Sequence, residues 1–399
     1  AIGCLSAANV PDVPGRDDFK GDWYHTGLWP HAGVDFTGKR VGLIGTGSTG
    51  VQATPVIAEQ AGHLTVFQRT PNYSVPARNK ALTEEFKQEV KETADEIRFN
   101  MRQTTSGHPW GPEPRLAVET APEERERIYQ DAWDRGGLQF RAAFQDIMVD
   151  VAANETAAEF VTRKIREVVK DPETAGKLTA FDHGYSTKRP IIDSHYFEAF
   201  NRDNVELVDV KATPIEAITA DGIVTTDGVE YPLDIIIFAT GYDGVTGPLM
   251  RLNVTGQDGL ALSDFWKDGP KTFLGLQVAG FPNMFTITGP GSPSVLTNMP
   301  VACEQHAEWI TACIGHMREQ GTDRVETSST AMNTWGEKVQ EAAEATLLYT
   351  AKSSWYLGAN VPGKPRVFLP YAGGMDKYRQ ICTDVAANGY DGFAFSTAG

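Results

Sequence analysis

A strand that runs straight into a glycine turn constrains this chain more than any other feature. Lys39-Arg40-Val41-Gly42-Leu43-Ile44 is a short aliphatic and β-branched run, which predicts a buried strand. Gly45-Thr46-Gly47-Ser48-Thr49-Gly50 follows at once as G-x-G-x-x-G. Its three glycines suit a tight turn, a close approach of backbone to pyrophosphate, and close helix–strand packing. A helix should start there, with its N-terminus aimed at phosphate and a kink at Pro55. The next strand is expected at Leu64-Thr65-Val66-Phe67. Strand, turn, helix and strand predict a dinucleotide site made of Gly45, Thr46, Gly47, Ser48, Thr49, Gly50 and Gln52.

The residues after the second strand select the dinucleotide. An acid about 20 residues beyond the turn would bind the ribose hydroxyl of NAD. Gln68-Arg69-Thr70 stands there instead. Arg69 can fork onto a phosphate and Thr70 can donate to one, which favours NADP(H). The plain alternative is that Arg69 is a solvated surface arginine.

Composition narrows the partners. The 399 residues carry a formal charge of −16, which opposes nucleic acid or an anionic membrane as partner. No apolar run has the length of a membrane span, and no secretion signal opens the chain. Cys4, Cys303, Cys313 and Cys382 form no C-x-x-C pair and no metal cluster, so no metal is expected. Cys303 and Cys313, on one predicted helix, would lie roughly 15 Å apart, too far to bridge. Reduced thiols in a cytoplasmic protein are the simplest reading.

Two segments read as strands ending in nucleotide-domain turns. They are Ala1–Ser6 and Asp234-Ile235-Ile236-Ile237-Phe238-Ala239-Thr240-Gly241-Tyr242-Asp243. Two such turns imply two dinucleotide-binding domains, yet the chain holds one G-x-G-x-x-G. A preceding FAD-binding stretch on the order of 150 residues is therefore expected outside this sequence, as a partner it would need. The fold class expected is α/β, with two Rossmann-like domains of the two-domain flavoprotein type, a helical insertion, and an incomplete first FAD-binding unit. Residues 1–8 would end the FAD domain, and 9–36 would be a linker. Residues 37–78 and 187–232 would form the NADP domain, 79–186 the insertion, and 233–399 the C-terminal part of the FAD domain. Helices are expected around Glu84–Phe99, Glu119–Met148 and Ala157–Lys170. Strands are expected at Val205–Val210, Ile215–Ile218 and Ile223–Val229, returning to the nucleotide sheet. His306, within Glu304–Trp309, reads as a helix-surface histidine.

The linker carries Phe19-x-Gly21-x-x-x-His25-x-x-x-Trp29-Pro30 directly before the nucleotide fold. This resembles the fingerprint of type I Baeyer–Villiger monooxygenases of the phenylacetone and cyclohexanone monooxygenase kind. The resemblance continues through Val66–Pro71, Ser186-Thr187-Lys188-Arg189-Pro190, Asp234–Asp243, Gly289-Pro290-Gly291-Ser292-Pro293-Ser294 and Trp355–Lys364. Ile2 departs from it, standing where the family usually has a small or hydroxyl residue.

The resemblance implies an enzyme that uses NADPH, FAD and O2 to insert oxygen beside a ketone carbonyl, giving an ester or lactone. Arg189 is then the catalytic cation, since an arginine keeps its proton beside a developing oxyanion. Lys188 with Arg69 would neutralise the 2′-phosphate, although a basic pair before a proline turn is also an ordinary surface feature. His25 would orient the linker, which Trp29 and Pro30 pack. Trp355 would hydrogen-bond the nicotinamide ribose or be a buried aromatic. Ser294, Val295, Leu296 and Met299 would line the substrate pocket or simply be core. A heteroatom-oxidising flavin monooxygenase and a non-catalytic NADP-binding fragment are the competing functions.

Overall fold

The computed structural model describes residues 3–397. In chain order its elements begin with β1 (Asp22–His25), β2 (Arg40–Ile44), α1 (Ser48–Gln60), β3 (His63–Gln68) and β4 (Ser74–Pro76). Then come α2 (Glu84–Glu92), α3 (Ala94–Gln103), α4 (Pro122–Arg135), α5 (Val151–Val168) and α6 (Pro172–Leu178). They are followed by β5 (Ile191–Asp193), α7 (Tyr196–Ala199), β6 (Val205–Asp209), β7 (Ile215–Thr219), β8 (Gly222–Thr225), β9 (Glu230–Pro232) and β10 (Ile235–Phe238). The last are α8 (Gly247–Met250), α9 (Leu262–Phe265), α10 (Met299–Glu319), β11 (Arg324–Thr327), α11 (Ser329–Glu344), α12 (Met375–Ala387) and β12 (Phe393–Ser396). They form two compact units. A sheet unit holds residues 8–79 and 113–242; a helical unit holds residues 3–7, 80–112 and 243–397.

The sheet unit is built on five parallel strands in the order β1-β10-β2-β3-β6. Parallel strands are buried on both faces, so their residues are apolar without a break. Ile236, Ile237 and Phe238 are fully buried, as are Val41, Leu43, Leu64, Val66 and Phe67. Alternation sends Val41, Leu43, Leu64, Val66, Ile235 and Ile237 into the main core with α1, α5 and α7. Phe67, Val208, Ile236 and Phe238 face the other way, onto Ile218, Ile223 and Leu233.

That second face corrects two expectations. β7 and β8 do not return to the nucleotide sheet. With β9 they make a separate three-stranded antiparallel sheet that covers its exposed face. Nor is 9–36 only a linker. Asp22–His25 adds the edge strand β1 beside β10. Phe19 packs into the cluster on the second face. A Cβ on Gly21 would stand 2.3 Å from the Asp234 carbonyl oxygen, so glycine is what lets the chain enter that pairing. The register runs Asp22 to Ile235 through His25 to Phe238.

Other boundaries also move. β10 pairs with β2 inside the sheet unit, so the chain leaves that unit at Tyr242, not at 233. The block 79–186 is not one insertion. α2 and α3 belong to the helical unit, where Arg98 and Arg102 pair with Glu304 and Glu308 on α10 at 2.7–3.4 Å. α4 to α6 belong to the sheet unit. The helix expected over Glu119–Met148 stops at Arg135, where Gly136 takes φ 76°. α5 starts at Val151 because Asp150 caps it, accepting the Ala153 N–H at 2.9 Å. α1 continues through Pro55 as one helix. The strand expected at Ala1–Ser6 begins outside the described residues, as does Ile2; Cys4-Leu5 is a turn.

Among the described residues no disulfide is present, and no helix is long and apolar enough to cross a membrane. Phe160 of α5 packs against the rings of Phe140 and Tyr129, at 5.4 and 5.5 Å, and is about 1% exposed. Phe160→Ala should cost the sheet unit about 3–5 kcal/mol, read as a lower urea midpoint for its transition.

Candidate functional site

The glycine turn opens at the carboxyl ends of the parallel strands, where ligands bind in such sheets. Gly45 has φ 108°, and a Cβ there would stand 2.6 Å from the Ala239 carbonyl oxygen. A Cβ on Gly50 would stand 2.0 Å from the Gly45 carbonyl oxygen, so α1 can leave the sheet at this spacing only with glycine. At Gly47 a Cβ would meet nothing within 4 Å. Gly47 caps α1 in an extended conformation any residue adopts, so neither backbone nor packing requires glycine. The open space lies before the helix N-terminus, and a pyrophosphate group fits it. Ser48 and Gln52 are exposed on the first turns and Thr49 is half-buried. Thr46 is buried and its hydroxyl donates to the Thr70 carbonyl at 3.1 Å, tying the turn to the end of β3.

A basic cluster surrounds that strand end. Arg69 follows β3, and its charge acts on Lys188. Lys188 Nζ lies 3.4 Å from Asp182 Oδ1, and Lys211 Nζ lies 3.8 Å from Asp182 Oδ2. Asp182 thus faces two lysines, and Arg69 adds a further positive charge beside Lys188. Burial lowers the Lys188 pKa; Arg69 and Lys211 push the same way while Asp182 opposes them. Burial raises Asp182, but the His183 hydrogen bond and the Lys188 charge outweigh it and leave the carboxyl below its ordinary range. A phosphate dianion would cancel the surplus, and guanidinium and ammonium donors suit it. These residues therefore fit NADP better than NAD.

The loop that presents Lys188 and Arg189 is held rigidly. Ser186 sits at φ 62° and is buried. Asn154 donates to the Tyr185 carbonyl at 2.8 Å, and Asn72 to the Arg189 carbonyl at 3.0 Å. Tyr73 stacks on Phe181 at 3.7 Å. Arg189 is exposed on the sheet unit. His183 bridges Asp182 at 2.9 Å and Asn72 at 3.1 Å, and burial above all lowers its pKa to about 4.

Sequence reasoning missed Asp182, His183, Asn72 and Lys211. Only Lys211 had a usable signal. β3 and β6 are neighbours with Gln68 opposite Asp209, so Arg69 and Lys211 leave the same edge of the sheet.

The fingerprint is a strand-edge device. His25 is buried at the end of β1, where its Nδ1 accepts the Gly27 N–H at 3.0 Å. Burial lowers its pKa, against the pull of the Gly241 backbone. Trp29 is 38% exposed; its ring lies 5.7 Å from Tyr24 and 6.2 Å from Phe36, folding half-buried Pro30 and the following loop back on the sheet.

The remaining candidates lie in the helical unit. Ser294, Val295 and Leu296 form a short 3-10 turn before α10, which begins at half-buried Met299. Ser294 and Val295 are buried. Trp355 is half-buried, and a Cβ on Gly244 would lie 3.2 Å from its ring. Lys364 donates to Asp243 at 2.6 Å and to the Gly244 carbonyl at 3.0 Å, joining two sequence motifs through a largely buried ion pair. His306 is not on the surface. α10 turns it inward to full burial because polar partners wait there, and burial with Arg379 nearby lowers its pKa to about 4.

A parallel sheet, a glycine turn with an open cradle, and a surplus of positive charge at the neighbouring strand end define a dinucleotide-binding protein. No family model matches the chain. It is, however, 43% identical over 392 residues to a Baeyer–Villiger monooxygenase of Pseudooceanicola batsensis, covering 98% of this chain and 71% of that protein. A cyclohexanone 1,2-monooxygenase of an Acinetobacter species is 41% identical over 405 residues, 98% of this chain and 72% of its own. A phenazine N-monooxygenase of Lysobacter antibioticus is 40% identical over 395 residues, 98% and 72%. Among solved structures, an oxidized steroid monooxygenase bound to NADP matches with a TM-score of 0.93 at 48% identity, covering 100% of this chain and 74% of that one. A complex of OTEMO with FAD and NADP gives 0.95 at 39%, covering 99% and 74%. The chain belongs to the Baeyer–Villiger monooxygenases, oxidoreductases that depend on FAD and NADP.

Two outcomes test the site. Gly47→Ala should keep the fold, at a cost of up to about 1 kcal/mol for the poorer helix cap, and abolish NADPH binding in a fluorescence titration; Gly50→Ala, by contrast, should yield no folded sheet unit. His306 is neutral in the fold with a pKa of about 4, against about 6.5 when unfolded. Its contribution is complete above pH 6.5 and is lost as pH falls toward 4, up to about 3 kcal/mol. Urea midpoints measured from pH 7 to 4 should fall accordingly, and His306→Asn should flatten that slope.

Proposed function

We propose that this chain binds NADPH across the carboxyl ends of β2 and β3 and, with FAD and O2, converts a ketone to an ester or lactone. The observation that supports the cofactor reading is the cluster of cations at this strand end, Lys188 and Lys211 facing Asp182 with Arg69 acting on Lys188, together with the open cradle at Gly47. Arg69 and Lys188 hold the 2′-phosphate, Lys211 adds a third cation, and Asp182 keeps the two lysines apart and oriented. Gly45–Gly50 and the first amides of α1 take the pyrophosphate, with Thr46 fixing the turn to Thr70.

When bound, the flavin supplies electron transfer to oxygen. The residues of this chain supply charge and exclusion. Arg189 supplies a guanidinium that stabilises oxyanion character on the substrate carbonyl oxygen. The rigid loop around Ser186 presents it with little loss of freedom on binding. Ser294, Val295, Leu296 and Met299 form an apolar wall for the ketone. Phe19, Gly21, His25, Trp29 and Pro30 set the edge strand and do no chemistry. A cytoplasmic setting belongs to the same proposal, supported by four cysteines with no disulfide among the described residues.

Arg69→Ala and Lys188→Ala should each raise the KM for NADPH about 10- to 100-fold and leave NADH kinetics nearly unchanged, since a lost charged hydrogen bond costs about 1.5–3 kcal/mol. Equal losses with both cofactors would sink the phosphate reading. A ketone tested against a thioether decides between Baeyer–Villiger and heteroatom oxidation, the second being motivated by the phenazine N-monooxygenase among the relatives. Because the chain has one glycine fingerprint, its visible spectrum is the third test. Retained flavin absorbance supports the enzyme reading, and a colourless protein supports an NADP-binding part of a larger one.

A further inference from the structure

His306 was unassigned by sequence and is fully buried in the helical unit. Its Nδ1 accepts the backbone N–H of Thr288 at 2.8 Å. The proton therefore sits on Nε2, which lies 3.0 Å from the Tyr378 hydroxyl. Tyr378, also fully buried, donates its own proton to the Leu274 carbonyl at 2.6 Å, so its oxygen accepts from Nε2. The Cys382 thiol also lies in hydrogen-bond reach of the Tyr378 hydroxyl.

The ends of the chain are the informative part. Leu274 has φ 57°, Thr288 has φ 53°, and Ser294 has φ 44°. All three are non-glycine residues in left-handed backbone, which persists only where surrounding contacts over-determine it. Tyr378 holds the first and His306 the second. The third is bound to the second, because the Ser294 hydroxyl donates to the Thr288 carbonyl at 3.2 Å. Between Thr288 and Ser294 the Gly289–Pro293 loop is tied on its other side. Trp335 donates to the Gly291 carbonyl at 3.0 Å, and Gly291 donates to the Leu369 carbonyl at 2.7 Å. One unbroken path of hydrogen bonds runs from a buried imidazole to the turn that begins the apolar wall before α10.

We propose that His306, backed by Tyr378, is a positioning residue for the substrate: it fixes Thr288, and through Thr288 the placement of Ser294 and Val295. This rests on the reading of Ser294–Met299 as the substrate wall. An imidazole suits the task because it offers an acceptor and a donor in one rigid plane. Asparagine can replace the acceptor toward Thr288, glutamine the donor toward Tyr378, and leucine neither.

The test uses the FAD-loaded, full-length holoenzyme carrying His306→Leu, His306→Asn, His306→Gln or Tyr378→Phe. Three quantities are measured: amide hydrogen exchange over residues 286–297, steady-state kinetics with a ketone, and anaerobic reduction of the flavin by NADPH. His306→Leu should speed exchange at Thr288 and Ser294 and raise the ketone KM about tenfold, the scale of one lost buried hydrogen bond. Flavin reduction and the KM for NADPH should stay within about twofold. His306→Asn should restore most of the ketone KM, and His306→Gln should not. Tyr378→Phe, which keeps the ring and the fold, should give a smaller change of the same kind. Unaltered exchange in both His306→Leu and Tyr378→Phe would overturn the relay. Faster exchange with unaltered ketone kinetics would instead overturn the substrate-wall reading on which the proposal rests. Equal behaviour of the Asn and Gln variants would overturn the part assigned to Thr288.

Discussion

A parallel strand must be covered on both faces, and the sheet unit is arranged around that requirement. β10 and β2 are interior strands, with Ile236, Ile237, Phe238, Val41 and Leu43 fully buried. α1, α5 and α7 cover one side. The other side needs a second layer, and the small sheet β7–β8–β9 with Phe19 supplies it. The fingerprint segment follows from the same demand. Once Phe19 is buried and Gly21 passes the Asp234 carbonyl, Asp22–His25 can only continue as an edge strand beside β10. His25, which looks chemical in the sequence, ends that strand and is buried there.

Electrostatics then places the cofactor specificity. A lone arginine after β3 is ambiguous. Arg69 beside Lys188, with Lys211 brought in by the β3–β6 pairing, supports the proposed phosphate site, because like charges oppose one another unless an anion joins them. Asp182 faces both lysines. The strained Ser186 and the buried amide of Asn154 keep this loop from relaxing away from its own repulsion.

The helical unit solves a different problem, that of polar groups inside a core. His306 and Tyr378 are each fully buried and bonded to one another, and each also bonds a backbone group of a residue in left-handed conformation, Thr288 or Leu274. Lys364 and Asp243 do the same for two distant motifs through one short ion pair. Such groups cost stability when half satisfied, so their complete pairing marks these turns as places whose shape is specified.

By itself the sequence determined the local elements and the motifs: the strand, glycine turn and helix from Lys39 to Gln60, the strand at Leu64–Phe67, and the basic pair Lys188-Arg189. Each depends on residues a few positions apart, whose spacing fixes turn, helix and strand. The family was legible too, because its motifs are local and ordered. Only the tertiary structure decided that Asp22–His25 is a strand, that β7 to β9 form a separate layer, and that 79–186 divides between two units. It alone brought Asp182 and Lys211 to Arg69 and Lys188, and turned His306 inward. Those outcomes depend on pairing across tens to hundreds of residues, where the deciding quantity is what each face must bury and which partner waits there.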